Sequence, residues 1–324
     1  MKNSKKLFIL TEIVLGVMVV ILAFIMIREK NGRPLKKISV IVQHSDDSQW
    51  SAFKYGLKMA AQDKGVDVFI VNTGKILTVE EELEIIRNEI ENGADAVILQ
   101  PAPGIDAEKS LKKIRNRVPV ILVECAARED GESSGIPAVK PDNYAMGRAL
   151  AEELLKDYSG SLEEKTLGIV MENSNSEADV SRRRGVEDAL KDTGVDVLWS
   201  VSDSFGENEE NSLDKQSKVD IVIALDDSSL TAAGEYSLHN NLHGALVYGI
   251  GNSTEAIYYL DTGIVQCLIV PDEFNMGYQS VTAAAEGLGY PFFEVKSETV
   301  SYFVIHREEL FSSQNQEIIF TMSQ

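Results

Sequence analysis

Polar side chains able to bind a small molecule gather at a few places in this chain, each directly after a short apolar run. Gln43-His44-Ser45-Asp46-Asp47-Ser48-Gln49-Trp50 follows ISVIV, and Glu124 follows VILV. Asp226-Asp227 follow VDIVIAL, Gly251-Asn252 follow ALVYGI, and Pro271-Asp272-Glu273 follow VQCLIV. Two more polar stretches, Pro141-Asp142-Asn143 and Ser181-Arg182-Arg183-Arg184-Gly185, open or lie on helical patterns. Carboxylates accept paired hydrogen bonds from hydroxyl groups, and a buried polar site rejects analogues lacking those hydroxyls. This is recognition chemistry. Nothing arranges a nucleophile beside a base, and His44, His239, His243 and His306 show no metal-ligand spacing. Gly249-Ile250-Gly251 follows a strand but lacks the third glycine of a dinucleotide fingerprint, so a nucleotide-cofactor enzyme is a remote reading and no cofactor is expected.

The elements that must carry these loops repeat a simple rhythm from Lys37 onward: apolar strand, turn, amphipathic helix. Strands are expected at Ile38–Val42, Val66–Val71, Ala96–Leu99 and Val120–Val123, then Leu167–Met171, Val195–Trp199, Val219–Leu225, Ala245–Ile250 and Val265–Val270, with a last one at Thr299–Ile305. Between them the spacing predicts helices over Trp50–Lys64, closed by Gly65, and from the T-x-x-E capping box of Thr78 and Glu81 to Asn92. Further helices are expected from an Asp106 cap to Arg117, from an Asp142 cap to Tyr158, and over Ala178–Asp192, Glu209–Gln216, Ser228–Asn241, Ser253–Thr262 and Asn275–Gly287. Continuous apolar strands alternating with helices mean parallel sheets covered on both faces, and such sheets bind ligands beyond the carboxyl ends of their strands. The string is too long for one comfortable sheet, so the fold class is α/β with two lobes, divided near Val139–Asp142.

Composition narrows the function. A net charge of −20 argues against nucleic acid, whose phosphates need clustered Lys and Arg. It suits a domain that must stay soluble outside the cell. Cys125 and Cys267 sit in apolar runs and read as buried free thiols. Near the start, Leu7–Ile27 is almost wholly apolar, long enough at about 1.5 Å per residue to cross a bilayer core of about 30 Å. It ends in bulky Phe24, Ile25, Met26 and Ile27 rather than small residues, which favours an uncleaved anchor over a signal peptide. Lysines and arginines flank both ends, so charge alone does not orient it.

From about Ile38 to Gly287 the chain resembles the periplasmic sugar-binding protein family of the ribose-binding type. The pieces that carry the resemblance run in order: ISVIVQ…W, ENGADAVILQPA, VPVILVE, PDNYAMGRALAEEL, SRRRGVEDAL, VDIVIALDD, YGIGNSTEAIYYLDTGIV and NMGYQSV. The resemblance implies two Rossmann-like lobes joined by a three-strand hinge and closing on a small ligand. It divides the chain into an anchor at residues 1–30, a first lobe at 38–140 plus about 272–298, a second lobe at 141–271 plus about 299–310, and a tail at 311–324. It also implies site residues. Asp47, Gln49 and Trp50 fall where the first loop supplies a polar contact and an aromatic that stacks on a sugar face. Glu124 stands where an acid takes two hydroxyls, Arg182 where an Arg reaches the ligand, Asp226 where an Asn or Asp follows a second-lobe strand, and Asp272 near the usual hinge Gln. Trp50 could equally be core, Glu124 and Asp226 could be solvated acids or helix caps, and Asp142 is a plain helix cap on its own pattern. Only one of Arg182, Arg183 and Arg184 can face inward. Gly251 replaces an acid common in the family, and Cys125 replaces an Arg.

The expectation is a non-enzymatic, extracytoplasmic receptor for a sugar or polyol, tethered through residues 7–27, with an ABC permease or a membrane sensor kinase as partner. A regulator sharing the lac-repressor core is the remaining alternative, disfavoured by charge and by the missing helix-turn-helix.

Overall fold

Two six-stranded sheets take up the apolar runs. The structure is a computed structural model that describes residues 14–21, 35–73, 77–103, 107–126, 135–203, 205, 212–289 and 295–320. The chain divides into two units, residues 1–36 and residues 37–324. In the first unit, residues 14–21 are helical (α1), and their apolar side chains are more than half exposed. The rest of the expected span Leu7–Ile27 lies outside the described residues, among which no helix is long and apolar enough to cross a membrane.

The larger unit opens with β1 (Lys36–Ile41), α2 (Ser51–Lys64), β2 (Val66–Val71), α3 (Val79–Glu91), β3 (Ala96–Leu99), α4 (Ala107–Arg115), β4 (Val120–Val123) and β5 (Ala138–Pro141). It continues through α5 (Asn143–Asp157), β6 (Thr166–Met171), α6 (Glu177–Leu190), β7 (Asp196–Ser202), β8 (Ile221–Ala224), α7 (Asp227–Leu238) and β9 (Leu246–Ile250). It closes with α8 (Thr254–Asp261), β10 (Val265–Pro271), α9 (Glu273–Gly289), β11 (Glu298–Val300), β12 (Tyr302–His306) and α10 (Ser313–Phe320). Strand order is β11-β5-β4-β3-β1-β2 in one sheet and β12-β10-β9-β8-β6-β7 in the other. The pairs β1–β3, β3–β4, β4–β5, β5–β11, β6–β7, β6–β8, β8–β9 and β9–β10 are parallel, and β10–β12 is antiparallel. Strands buried on both faces are wholly apolar, as AVIL of β3 and IVIA of β8 show.

The Thr78–Glu81 capping box forms as expected, with reciprocal bonds at both ends. Two expectations are corrected and one strand is added. The single last strand is two: Glu298–Val300 joins the first sheet and Tyr302–His306 the second, because the chain crosses between lobes at Ser301. Of the expected helix Glu209–Gln216, only a short 3-10 turn at Ser212–Lys215 falls among the described residues. β5 carries only four residues, among them Lys140 and Pro141, and went unread for that reason. Asp106 lies outside the described residues. The tail gives α10, whose Ile319 is 2% exposed against Leu310 in the second-lobe core.

Glycines set how closely the helices approach. A Cβ at Gly147 on α5 would collide with the carbonyl of Arg182 on α6, and one at Gly185 with the carbonyl of Tyr144. Gly56 on α2 and Gly277 on α9 meet the same way in the first lobe. Backbone-to-backbone contact of this kind is open only to glycine.

Candidate ligand site at the strand ends

Three strand ends of the first lobe are tied together by one amide. Gln100, just past β3, takes the Gln43 N–H on its Oε1 (2.8 Å) and donates its Nε2 to Glu124. Glu124 turns its chain through a left-handed conformation (φ 67°) immediately after β4. Its backbone carbonyl accepts from Asn143 Nδ2 (2.9 Å), and its side chain reaches towards the second lobe.

There it meets Arg182. This side chain is 3% exposed and spreads its fork over four partners. Nε donates to Asn143 Oδ1 (2.9 Å) and Nη1 to the Leu225 carbonyl (3.0 Å), while Glu124 lies 3.5 Å and Asp179 3.8 Å away. Burying a guanidinium is tolerable only with such satisfaction. Arg184 turns outward to Asp188, and half-buried Arg183 lies 3.6 Å from Glu187.

Around Arg182 the second lobe supplies a cluster of acids. Asp226 accepts from Ser229 N (2.8 Å) and Glu172 N (2.7 Å), so it caps α7 and ties the loop after β6. Asp227 accepts from the backbone N–H groups of Asn252 and Ser253 (both 2.8 Å). Gly251 makes room for this: a Cβ there would stand 2.6 Å from the Asp227 carboxylate. Burial pushes Asp227 up to about 6. Glu172, first after β6, is raised by burial and then by the Asp226 charge to about 8. Burial also raises Asp179, which accepts from Asn173 N (3.1 Å), and Glu273 at the start of α9.

The two lobes touch at the rim. Asn252 Nδ2 donates to the Gln49 carbonyl (2.9 Å), Ser48 Oγ to Glu255 (3.3 Å), and His44 stands 3.9 Å from Glu172. A cavity of about 1050 Å³ opens beside these contacts, lined by His44, Asp47, Ser48 and Gln49 from the first lobe and by Glu172, Asp227, Ser253 and Glu255 among others from the second. On the opposite side Lys140 pairs with Glu177 (2.8 Å).

Of the expected site residues, the structure brings Glu124 and Arg182 together and puts Asp47 and Gln49 on the cavity rim. Asp226 lies among the acids but spends both oxygens on backbone N–H groups. Trp50 is a correction. It is 3% exposed, its ring edge packs on Phe53 (5.3 Å) and its Nε1 donates to the Gln43 carbonyl, so it offers no face to a sugar. Asp272 is likewise turned to Asn275 and Ser301 as the cap of α9. Sequence reasoning named Asn143, Asp227 and Glu273 within polar loops without giving them a ligand role, and did not single out Gln100, Glu172 or Asp179. Most of them stand one or two residues from a strand end, and that position was the available signal.

A model of the "Periplasmic binding protein domain" family matches residues 38–289. The chain belongs to this family. No curated protein matches it. Its fold is shared with GanP, a glucose-galactose binding protein from Geobacillus stearothermophilus, at 19% identity and a TM-score of 0.73, over 86% of this chain and 100% of that one. A carbohydrate transporter solute binding protein from Agrobacterium radiobacter, solved with D-arabinose, is similar at 18% identity and a TM-score of 0.76, over 89% and 100%. The XylFII-LytSN complex contains a chain similar at 16% identity and a TM-score of 0.70, over 85% and 98%. This binding protein therefore has the two-lobed α/β fold of the type I periplasmic binding proteins.

Proposed function

We propose that this binding protein is an extracytoplasmic sugar or polyol receptor, held at the membrane through residues 7–27, that closes its lobes on ligand and presents it to an ABC permease. The observation that carries the reading is that Glu124 of one lobe meets Arg182 of the other where the lobes join, while Glu172 and Asp227 line the cavity between the lobes. Carboxylates and a guanidinium, already oriented by their own bonds, are what a polyhydroxylated ligand requires. The pairing of neighbours of this fold with D-arabinose and, at 19% identity, myo-inositol supports the ligand class. Rim contacts such as Asn252 to Gln49 support lobe closure.

Calorimetry of the full chain in nanodiscs against monosaccharides and polyols tests this, with small-angle scattering for compaction. The expected result is binding with a smaller radius and unaltered ligand on recovery. No binding by any sugar or polyol, or conversion of the ligand, overturns it. Carbonate extraction and protease protection of host membranes test the tether and its side.

A second reading makes the same domain a ligand sensor feeding a membrane histidine kinase. It is favoured by one observation, that a chain of this fold occurs in the XylFII-LytSN complex. Cross-linking in host membranes separates the two: a permease subunit supports delivery, a kinase supports sensing.

A further inference from the structure

Six carboxylates cluster where the lobes meet: Glu172 and Asp227 line the cavity, and Glu124, Asp179, Asp226 and Glu273 lie within electrostatic reach of them or of one another. Five of them have their work visible. Asp179, Asp226 and Asp227 hold backbone N–H groups, Glu124 holds Gln100 and faces Arg182, and Glu172 stands beside His44. Glu273 differs. It is 8% exposed, and its Oε2 is buried with no hydrogen-bond partner. It enters from the hinge, on the first turn of α9, within electrostatic reach of Glu124, Arg182, Asp272 and Asp227.

An unpartnered buried carboxylate oxygen is costly, and the positive end of α9 does not remove that cost because no donor reaches the oxygen. Arg182 cannot neutralise the cluster, since its fork is already shared among Asn143, Leu225, Asp179 and Glu124. A ligand that completes the site must bring a donor to Glu273 Oε2, and a cation can take the place of the proton that burial beside Glu124 and Asp227 keeps there. An ammonium group has three donors and no acceptor, so it meets carboxylates without setting lone pair against lone pair. A neutral sugar offers hydroxyls but can be received only while the carboxyl keeps its proton, and a phosphorylated sugar is repelled. Resting on the reading of this space as a sugar site, we propose that its ligand is a polyhydroxylated cation, an amino sugar or aminopolyol, whose ammonium group is received by Glu273 with Glu124 beside it. In the empty protein burial favours a proton on Glu273. Seating the ammonium releases that proton.

The test is calorimetry on the full chain at neutral pH with glucosamine, galactosamine and mannosamine, each against its neutral parent glucose, galactose or mannose. At least one amine is expected to bind about tenfold or more tighter than its parent, and to release a proton seen as a buffer-dependent heat. Glu273→Gln keeps the shape and removes the charge. It should fold at least as stably and lose the preference for the amine over its neutral parent. Neutral sugars binding as tightly as every amine would overturn the inference and leave the receptor reading intact. An amine preference that survives Glu273→Gln would overturn the assignment to Glu273. Failure of all sugars to bind removes the receptor reading itself, and this inference with it.

Discussion

In the first lobe, α2 presses on α9 through Gly56 and Gly277; in the second, α5 presses on α6 through Gly147 and Gly185. The packing device is the same, but what it positions is not. Beside the first crossing stand Phe53, Leu57 and Phe274, so close approach serves the core. At the second, the backbone pressed against Gly147 is that of Arg182 itself. The same close approach there fixes the guanidinium that meets Glu124 across the lobes. Except for Asp47 on the rim, Glu124 and the hinge's Glu273, the charged chemistry around the cavity belongs to the second lobe, while the first supplies a neutral amide network. A ligand settled on the second lobe would be covered by the first.

That contrast is broken most severely at Arg182. Arg182→Ala leaves Asp179, Asn143 and the Leu225 carbonyl without their donor in a buried setting, so a loss of about 3–5 kcal/mol is expected. Denaturant unfolding measures it, and sugar binding should vanish. Arg184→Ala, two residues on and paired at the surface, should stay within about 0.5 kcal/mol. Next come the glycines. Gly147→Ala and Gly56→Ala should each cost about 1–3 kcal/mol from overpacking. Only Gly147→Ala should also weaken ligand binding, because only there is the displaced backbone that of a site residue. Equal losses of affinity in both variants would erase the distinction between the lobes.

The same contrast explains what could be read from the sequence. Parallel strands were legible because strands buried on both faces are continuous apolar runs; that no more than one of three successive arginines faces inward was legible from helix geometry, while the choice of Arg182 came from the family resemblance. Adjacent acids were harder. Choosing between Asp226 and Asp227, or between Asp272 and Glu273, depends on which carboxylate turns back to cap the following helix. The caps fell to Asp226 and Asp272, which the sequence reading favoured for the ligand. Trp50 heads a helix beside a polar loop, a pattern that serves a stacking platform and a core plug equally. The T-shaped contact with Phe53 decides for the core.

The acids of the second lobe also predict a pH trend opposite to ordinary acid denaturation. Glu172 holds its proton to about 8 in the folded chain against 4.5 ordinarily, and Asp227 to about 6 against 3.8. The folded state thus binds protons that the unfolded state has released. The stability contributed by these groups is full at acidic pH and is lost as pH rises through the folded values. Melting temperature should therefore fall between about pH 5 and 8. Glu172→Gln should flatten the upper part of that fall, above the range in which Asp227 titrates. An unchanged slope in that variant would place the titrating group elsewhere.

The smallest effect is expected at the rim, where the lobes meet through single bonds. Asn252→Ala removes the donor to the Gln49 carbonyl, a bond worth about 0.5–1.5 kcal/mol. Because that bond exists only when the lobes touch, its loss should shift the empty protein towards an open form and raise the dissociation constant about two- to tenfold. Ser48→Ala, whose bonds to Glu255 and Thr254 are longer at 3.3 and 3.4 Å, should do less. Scattering on the empty variants separates two roles for the contact. A larger radius with unchanged unfolding shows that the contact governs closure. An unchanged radius with lower stability shows that Asn252, 4% exposed, acts within its own lobe, and then the rim contributes nothing to holding the lobes together.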